Sequence, residues 1–241
     1  MCTISWLADK RGLQVWFNRD ESVSRQSALP PSIHAGDRRF IAPVDPEGGG
    51  TWLGVTEDGH VLALLNHYQE QRIDHTPRRS RGTIIWRLAG AADRAAAWLE
   101  IRDQLDGYAP FHLVEIGTEE VTVKTWNGRE MIQETEAQNM GMLTTSSWDF
   151  PRVRQLRERA FLRIMRELGT EAGDPLERYH EGEGDGGDSH GSVLMDRGER
   201  RTVSQQKVMI ESGQVSFAYR ERWGSGRPAG RWEQCGMPLV I

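Results

Sequence analysis

Apolar and polar residues alternate from the start of the chain: Cys2-Thr-Ile-Ser-Trp-Leu-Ala, a polar break at Asp9-Lys-Arg-Gly12, then Leu13-Gln-Val-Trp-Phe-Asn18. A period of two sends successive side chains to opposite faces, so this stretch predicts two strands joined by a tight turn. A second hairpin is predicted where Thr51-Trp-Leu-Gly-Val-Thr and His60-Val-Leu-Ala-Leu-Leu-Asn flank Glu57-Asp58-Gly59, because Asp-Gly is a strong turn signal. Residues 21–50 lie between the hairpins and carry Pro30, Pro31, Pro43, Pro46 and Gly48 to Gly50, which predicts a long loop able to form the wall of a site.

The period then changes. Ile84, Ile85, Leu88, Ala92, Ala95, Ala96 and Leu99 recur at three and four, predicting two helices broken near Gly90. Short alternating runs return at Phe111 to Ile116, Val121 to Trp126, Met131 to Thr135 and Met140 to Thr144, as in an antiparallel meander. Pro151 opens the longest predicted helix, with Val153, Leu156, Ala160, Ile164 and Leu168 on one face and Arg152, Arg154, Arg157 and Arg159 assigned to solvent. Residues 171–191 are rich in Gly, Asp and Glu and are expected to be a mobile surface loop. Two further strands follow at Ser192 to Asp196 and Thr202 to Arg220, the latter folded back at Glu211-Ser-Gly213. Helices segregated between antiparallel runs define an α+β protein, read as one domain over residues 1–241.

Composition narrows the class. With 241 residues, 37% of them hydrophobic, the chain can bury one large core without disulfide or metal staples. Cys2 and Cys235 form no CxxC pair and there is no Asn-x-Ser/Thr sequon, which points to a reducing, cytoplasmic location. No apolar run reaches the roughly 18 residues of a membrane span. A net charge of −5 argues against nucleic acid as a partner, since that binding needs a positive field. The seven histidines show no metal-ligand spacing, so no metal is expected. The acidic loop contains formal GxGxxG and GxSxG matches around Gly182 to Gly191, but neither has the strand-then-helix context that gives those motifs their chemistry.

Cys2 stands apart through its position. Aminopeptidase removal of Met1 would leave its thiol beside a free α-amine, so one residue would hold both nucleophile and base. The amine titrates near ~7.7 to 8.0 and the thiol near ~8.5, which lets the neutral amine take the thiol proton.

Met1-Cys2-Thr3-Ile4, the tetrapeptide Asn18-Arg19-Asp20-Glu21, Gly49-Gly50-Thr51-Trp52-Leu53-Gly54 and Ser80-Arg81-Gly82 together resemble the NRDE family, also called the Transport-and-Golgi-organisation-two family. The likeness is good to about residue 160. It implies an αββα sandwich of two packed antiparallel sheets flanked by helices, as in the cysteine N-terminal nucleophile hydrolases that cleave linear amides. On that likeness Cys2 is the nucleophile, Arg19 and Asp20 hold it and its amine, and Asn66 is an oxyanion-hole donor. Adjacent strand residues face opposite ways, so Arg19 and Asp20 can both reach Cys2 only at a bulge or strand end. Asn18, Trp52, Thr145 and His190 are placed at the substrate, the last two standing where the family usually has Asn and Arg. The implied activity is that of a hydrolase or acyltransferase on a small acyl or amide compound, with no cofactor required. The alternative is a non-enzymatic carrier of haem or an acyl ligand.

Overall fold

A computed structural model describes residues 1–68, 79–117, 119–137, 139–167, 173–183, 191–222 and 229–240. The elements run β1 (Cys2–Asp9), β2 (Gly12–Ser22), β3 (Leu29–His34), β4 (Phe40–Val44), β5 (Leu53–Thr56), β6 (Val61–Asn66), α1 (Gly82–Gly90) and α2 (Arg94–Arg102). Then come β7 (Phe111–Ile116), β8 (Glu120–Trp126), β9 (Met131–Ala137), β10 (Met140–Thr144), α3 (Phe150–Arg166), α4 (Pro175–His180), β11 (Arg200–Glu211), β12 (Gln214–Glu221) and β13 (Glu233–Pro238).

The strands form two antiparallel sheets, one of six in the order β10-β1-β2-β11-β12-β13 and one of seven in the order β3-β4-β5-β6-β7-β8-β9. Strand alternation decides what each face buries. Cys2, Ile4 and Trp6 of β1 and Val15 and Phe17 of β2 meet Ile41, Val55, Val61 and Val114 between the sheets. The other face of the seven-stranded sheet, with Phe40, Leu62 and Leu64, is covered by Ile84, Ile85 and Leu88 of α1. The other face of the six-stranded sheet, with Leu7 and Trp16, is covered by α3 and α4 through Phe161, Ile164 and Tyr179. Helix, sheet, sheet and helix therefore stack in four layers, as the α+β sandwich requires. Each large apolar side chain so buried contributes roughly 1.5–3 kcal/mol.

Four features differ from the sequence reading. Residues 21–50 are not one loop: β3 and β4 lie within them. β3 is the edge of its sheet, where Pro30 and Pro31 remove no inner ladder bond, and β4 pairs with β5 only at Phe40 and Ile41, short of Pro43. The meander breaks after β9, because β10 crosses to pair with β1 in the other sheet. Part of the expected 171–191 loop is helical: Asp174 caps α4 through the N–H groups of Leu176 and Glu177, and Leu176, Tyr179 and His180 are buried. Finally, Ser192 to Asp196 forms no strand beyond one bridge to Arg201, while β13 closes the sheet beside β12.

Candidate active site

At one end of the sandwich the first residues of β1, the end of β2 and the end of β6 surround a cavity of about 300 Å³, lined by Cys2, Arg19, Asp20, Trp52 and Asn66. Cys2 is directly opposite Arg19 in the β1–β2 ladder, so both side chains enter the space between the sheets. There the Arg19 guanidinium stacks on Trp52, 4.0 Å from the ring centroid, and its Nη2 meets Asp45 Oδ2 at 3.1 Å. Trp52 is fixed from its other side by Nε1 donating to Gln206 Oε1 at 3.1 Å.

Asp20 belongs to the opposite, helix-facing side of β2. It still lines the cavity, because β1 begins at Cys2 and the cavity wraps the end of the sheet; β11 is bulged between Thr202 and Ser204 at the same level. Thr202 donates to Asp20 Oδ1 at 2.7 Å, and Oδ2 has no partner among the described residues. Burial raises the Asp20 pKa above the ordinary carboxylate value, and the nearby Arg157 charge is the strongest opposing pull.

The Cys2 backbone is clamped by Thr145. The Thr145 N–H donates to the Cys2 carbonyl at 3.0 Å, and the Cys2 N–H donates to Thr145 Oγ1 at 3.2 Å. Thr145 therefore touches the nitrogen that would become the α-amine, and it lies behind Cys2 rather than across the cavity from it. Burial raises the thiol pKa, opposed by the charge of the terminal amine and by the Asp20 backbone N–H. The thiol is consequently protonated at neutral pH and needs a base before it can attack.

Met1 is 3% exposed, its amine donating to Tyr68 Oη at 2.8 Å and its Sδ lying 3.3 Å from Ser146 Oγ. Tyr68 also accepts from Asn66 Nδ2 at 3.2 Å, so one phenol joins the chain end to the β6 asparagine.

Asn18 is not at the cavity. Its side chain is fully buried on the helix side, donating to the carbonyls of His180 and Val193 at 3.0 Å and accepting from the His180 ring. It anchors α4 to β2, which strand alternation requires of the residue beside an inward-facing Arg19. His190 lies outside the described residues.

The glycine motifs are explained by backbone approach. A Cβ on Gly50 would fall 2.3 Å from the Gly82 carbonyl carbon, and one on Gly82 would fall 2.9 Å from the Thr51 nitrogen. Only hydrogens fit there, and Thr51 N–H bonds the Gly82 carbonyl at 3.2 Å, seating the start of α1 against the Trp52 loop. Gly50→Ala is therefore expected to lower stability by about 1–3 kcal/mol, read as a shift of the urea midpoint with unchanged slope, as overpacking against backbone does.

The expected wall at 21–50 supplies Asp45 to this end of the molecule, but sequence reasoning did not single out Asp45 or Tyr68 and missed Gln206 and Arg157. Arg157 is a correction as well: it is fully buried, Nη1 donating to Thr3 and Thr144 hydroxyls at 2.8 and 2.7 Å and Nη2 to the Ser192 carbonyl at 2.8 Å. The signal was present, since Val153, Arg157, Ala160 and Ile164 are spaced four, three and four along the buried stripe of α3.

Two facing antiparallel sheets between helical layers, with a cysteine opening the first strand at the mouth of a cavity, is the fold of the N-terminal nucleophile hydrolases. The Caenorhabditis elegans N-acylethanolamine-hydrolyzing acid amidase ortholog superposes with a TM-score of 0.56 at 12% identity, over 86% of this chain and 92% of that one. A variant of the conjugated bile acid hydrolase of Clostridium perfringens superposes with a TM-score of 0.48 at 16% identity, over 100% and 98% of the two chains. No curated protein matches the sequence. The chain belongs to the Transport and Golgi organisation 2 family, whose model matches residues 1–181. Among the described residues no helix is long and apolar enough to cross a membrane.

Proposed function

We propose that this protein is a cysteine N-terminal nucleophile hydrolase or acyltransferase acting on a linear amide or related acyl compound. The observation that carries the reading is the convergence of Cys2, Asp20 and Asn66 on one cavity. With Met1 removed, the Cys2 nitrogen is an amine beside Thr145 Oγ1, and its ammonium form is assigned to the Asp20 carboxyl, which lines the same cavity. The neutral amine takes the thiol proton, the sulfur attacks the carbonyl, and Asn66 Nδ2 stabilises the oxyanion, an effect on the order of 3 kcal/mol for one donor in a dry site. The carbon–nitrogen bond then breaks as the amine returns the proton to the leaving nitrogen. Water or another acceptor attacks the thioester, and the thiol is restored.

Because Met1 is buried, its removal is assigned to the nascent chain, before folding closes over it. The carrier reading draws little support from the described wall of the cavity: arginines and carboxylates are prominent in it and no histidine is among the described residues that line it, a poor setting for a flat apolar macrocycle. The test is intact mass followed by acyl trapping. The expected result is a chain lacking Met1 that gains one acyl group on Cys2, and not on Cys235, when offered a panel of N-acyl amides and activated acyl esters. Cys2→Ala should abolish the adduct. Quantitative retention of Met1 in active protein, or turnover that survives Cys2→Ala, would refute the mechanism.

A further inference from the structure

The cavity has two electrically different walls. On one, Asp45 Oδ2 receives Arg19 Nη2 at 3.1 Å and Arg25 Nη2 at 2.6 Å, and Glu21 and Glu47 stand 3.9 and 3.8 Å from Arg25, so carboxylates match both cations. On the other stand Arg79 and Arg81, and among the described residues neither has a carboxylate within ion-pair distance. Arg81 is held in place by Nη1 donating to the Pro110 carbonyl at 2.9 Å, which leaves the rest of its fork unassigned. Burial pushes its pKa down, and the Tyr68 hydroxyl and the Cys2 sulfur are the foremost groups pulling it back up. It also caps α1, a nine-residue helix whose first turn contains no acid, so the positive end of that helix adds to the same field. The half-buried Arg81 guanidinium, with no carboxylate at ion-pair distance among the described residues, keeps part of its fork open to the cavity, and a planar fork is the group best matched to a carboxylate or phosphate.

We propose that Arg81, supported by Arg79 and the start of α1, is an anion subsite next to the Cys2 thiol, and that the ligand of this cavity carries a carboxylate or phosphate close to its reactive carbonyl. This deepens the hydrolase reading by naming its substrate class, so the test is built to need no turnover.

Cys2 is alkylated with iodoacetate and, in parallel, with iodoacetamide, and the adducts are quantified by mass spectrometry on the same molecules as Cys235. Both reagents consume the same thiolate, so their rate ratio is insensitive to the pKa of the cysteine and reports attraction of the anionic reagent. The ratio at Cys2 is expected to exceed that at Cys235 at least tenfold, to collapse toward it in Arg81→Gln, and to be largely kept in Arg81→Lys. Protection of Cys2 by N-acetylglycine or by inorganic phosphate, at constant ionic strength, tells a carboxylate ligand from a phosphate one. Equal ratios at the two cysteines, or a Cys2 ratio indifferent to Arg81→Gln, would overturn the subsite. If neither reagent reaches Cys2, thermal stabilisation by the same two anions decides: it must be present in the wild type and lost in Arg81→Gln. An Arg81-dependent ratio without any acyl adduct on Cys2 would leave the subsite standing and remove the hydrolase reading.

Discussion

Lowering the pH from 7 to about 4.5 is expected to remove on the order of 5 kcal/mol of folding stability, through two histidines that the fold keeps neutral. His180 is completely buried on the helix side of the six-stranded sheet, where burial pushes its pKa down to about 3. Its Nδ1 faces Asn18 Oδ1 at 2.9 Å and its Nε2 faces Ser5 Oγ at 2.8 Å. Asn18 Nδ2 is already donating to two carbonyls, so Nδ1 carries the ring proton and Ser5 donates to Nε2. The neutral ring satisfies every partner, and a second proton would place an unpaired charge in the core. His112 is pushed down to about 4 by burial, with the neighbouring His67 adding to the effect from 3.0 Å.

In the unfolded chain both titrate near 6.5. The unfolded state therefore binds protons first as pH falls, and the stability present above 6.5 is lost progressively toward the folded pKa values. Each contributes a loss on the order of 2–3 kcal/mol by pH 4.5. Asp20 acts with the opposite sign: its raised pKa makes the folded state take up a proton before the unfolded one, which stabilises the fold as pH falls toward 3.8. Asp20 opposes the two histidines in this range, and the loss that the histidines carry is a large part of the ~5–15 kcal/mol typical of a folded domain. Urea unfolding at pH 7 and pH 4.5 measures the difference. His112→Gln should shrink it by about 2 kcal/mol, and a pH-independent midpoint would contradict the assignment.

The sequence was most informative where a single period and a turn signal agreed. The β1–β2 and β5–β6 hairpins are legible because alternation fixes the face of each residue and Asp58-Gly59, with Gly59 at a φ of +79°, fixes the turn. The same alternation carries part of the site: once Cys2 is known to pair with Arg19, both must face the sandwich interior. What local pattern could not supply was partnership across the chain. The expected wall at 21–50 does supply Asp45, and Tyr68 follows Asn66 by two residues, but no local pattern singles out either side chain, and Gln206 meets the site from a distant strand with nothing nearby to mark it. The β3–β4 pair was hidden because proline normally argues against a strand, and only an edge position makes Pro30 and Pro31 tolerable. α4 was hidden because six residues are too few to show a helical period, although Asp174-Pro175 is an N-cap followed by a first-turn proline. Arg157 was misassigned on residue type alone, against its own spacing.

That arginine supports the second large prediction. Arg157→Met is expected to destabilise the protein by about 3–5 kcal/mol, well beyond the loss usual for one surface arginine. Two effects compete. Removing a buried cation that has no carboxylate within ion-pair distance among the described residues relieves a desolvation penalty, and a fully apolar replacement of such a group is often neutral. Here, however, the replacement would be partial. The Thr3 and Thr144 hydroxyls can still bond each other at 2.8 Å, but the Ser192 carbonyl loses its 2.8 Å donor, and the chain after α4 loses its tie to α3. Above all, Asp20 stays buried, with one oxygen unpartnered among the described residues, and without the positive charge that most strongly favours its ionised form. The losses outweigh the relief for that reason, which a double-mutant cycle isolates. Asp20→Asn alone should leave the neutral-pH stability unchanged or raise it, because a neutral amide replaces a desolvated carboxylate, and it should stop turnover. In its presence, Arg157→Met should cost less by about 1–3 kcal/mol, the coupling expected of charges sharing one buried site. Additive losses in urea unfolding would mean that Arg157 serves only the carbonyls and hydroxyls it touches, and that Asp20 keeps its charge at neutral pH without help from α3.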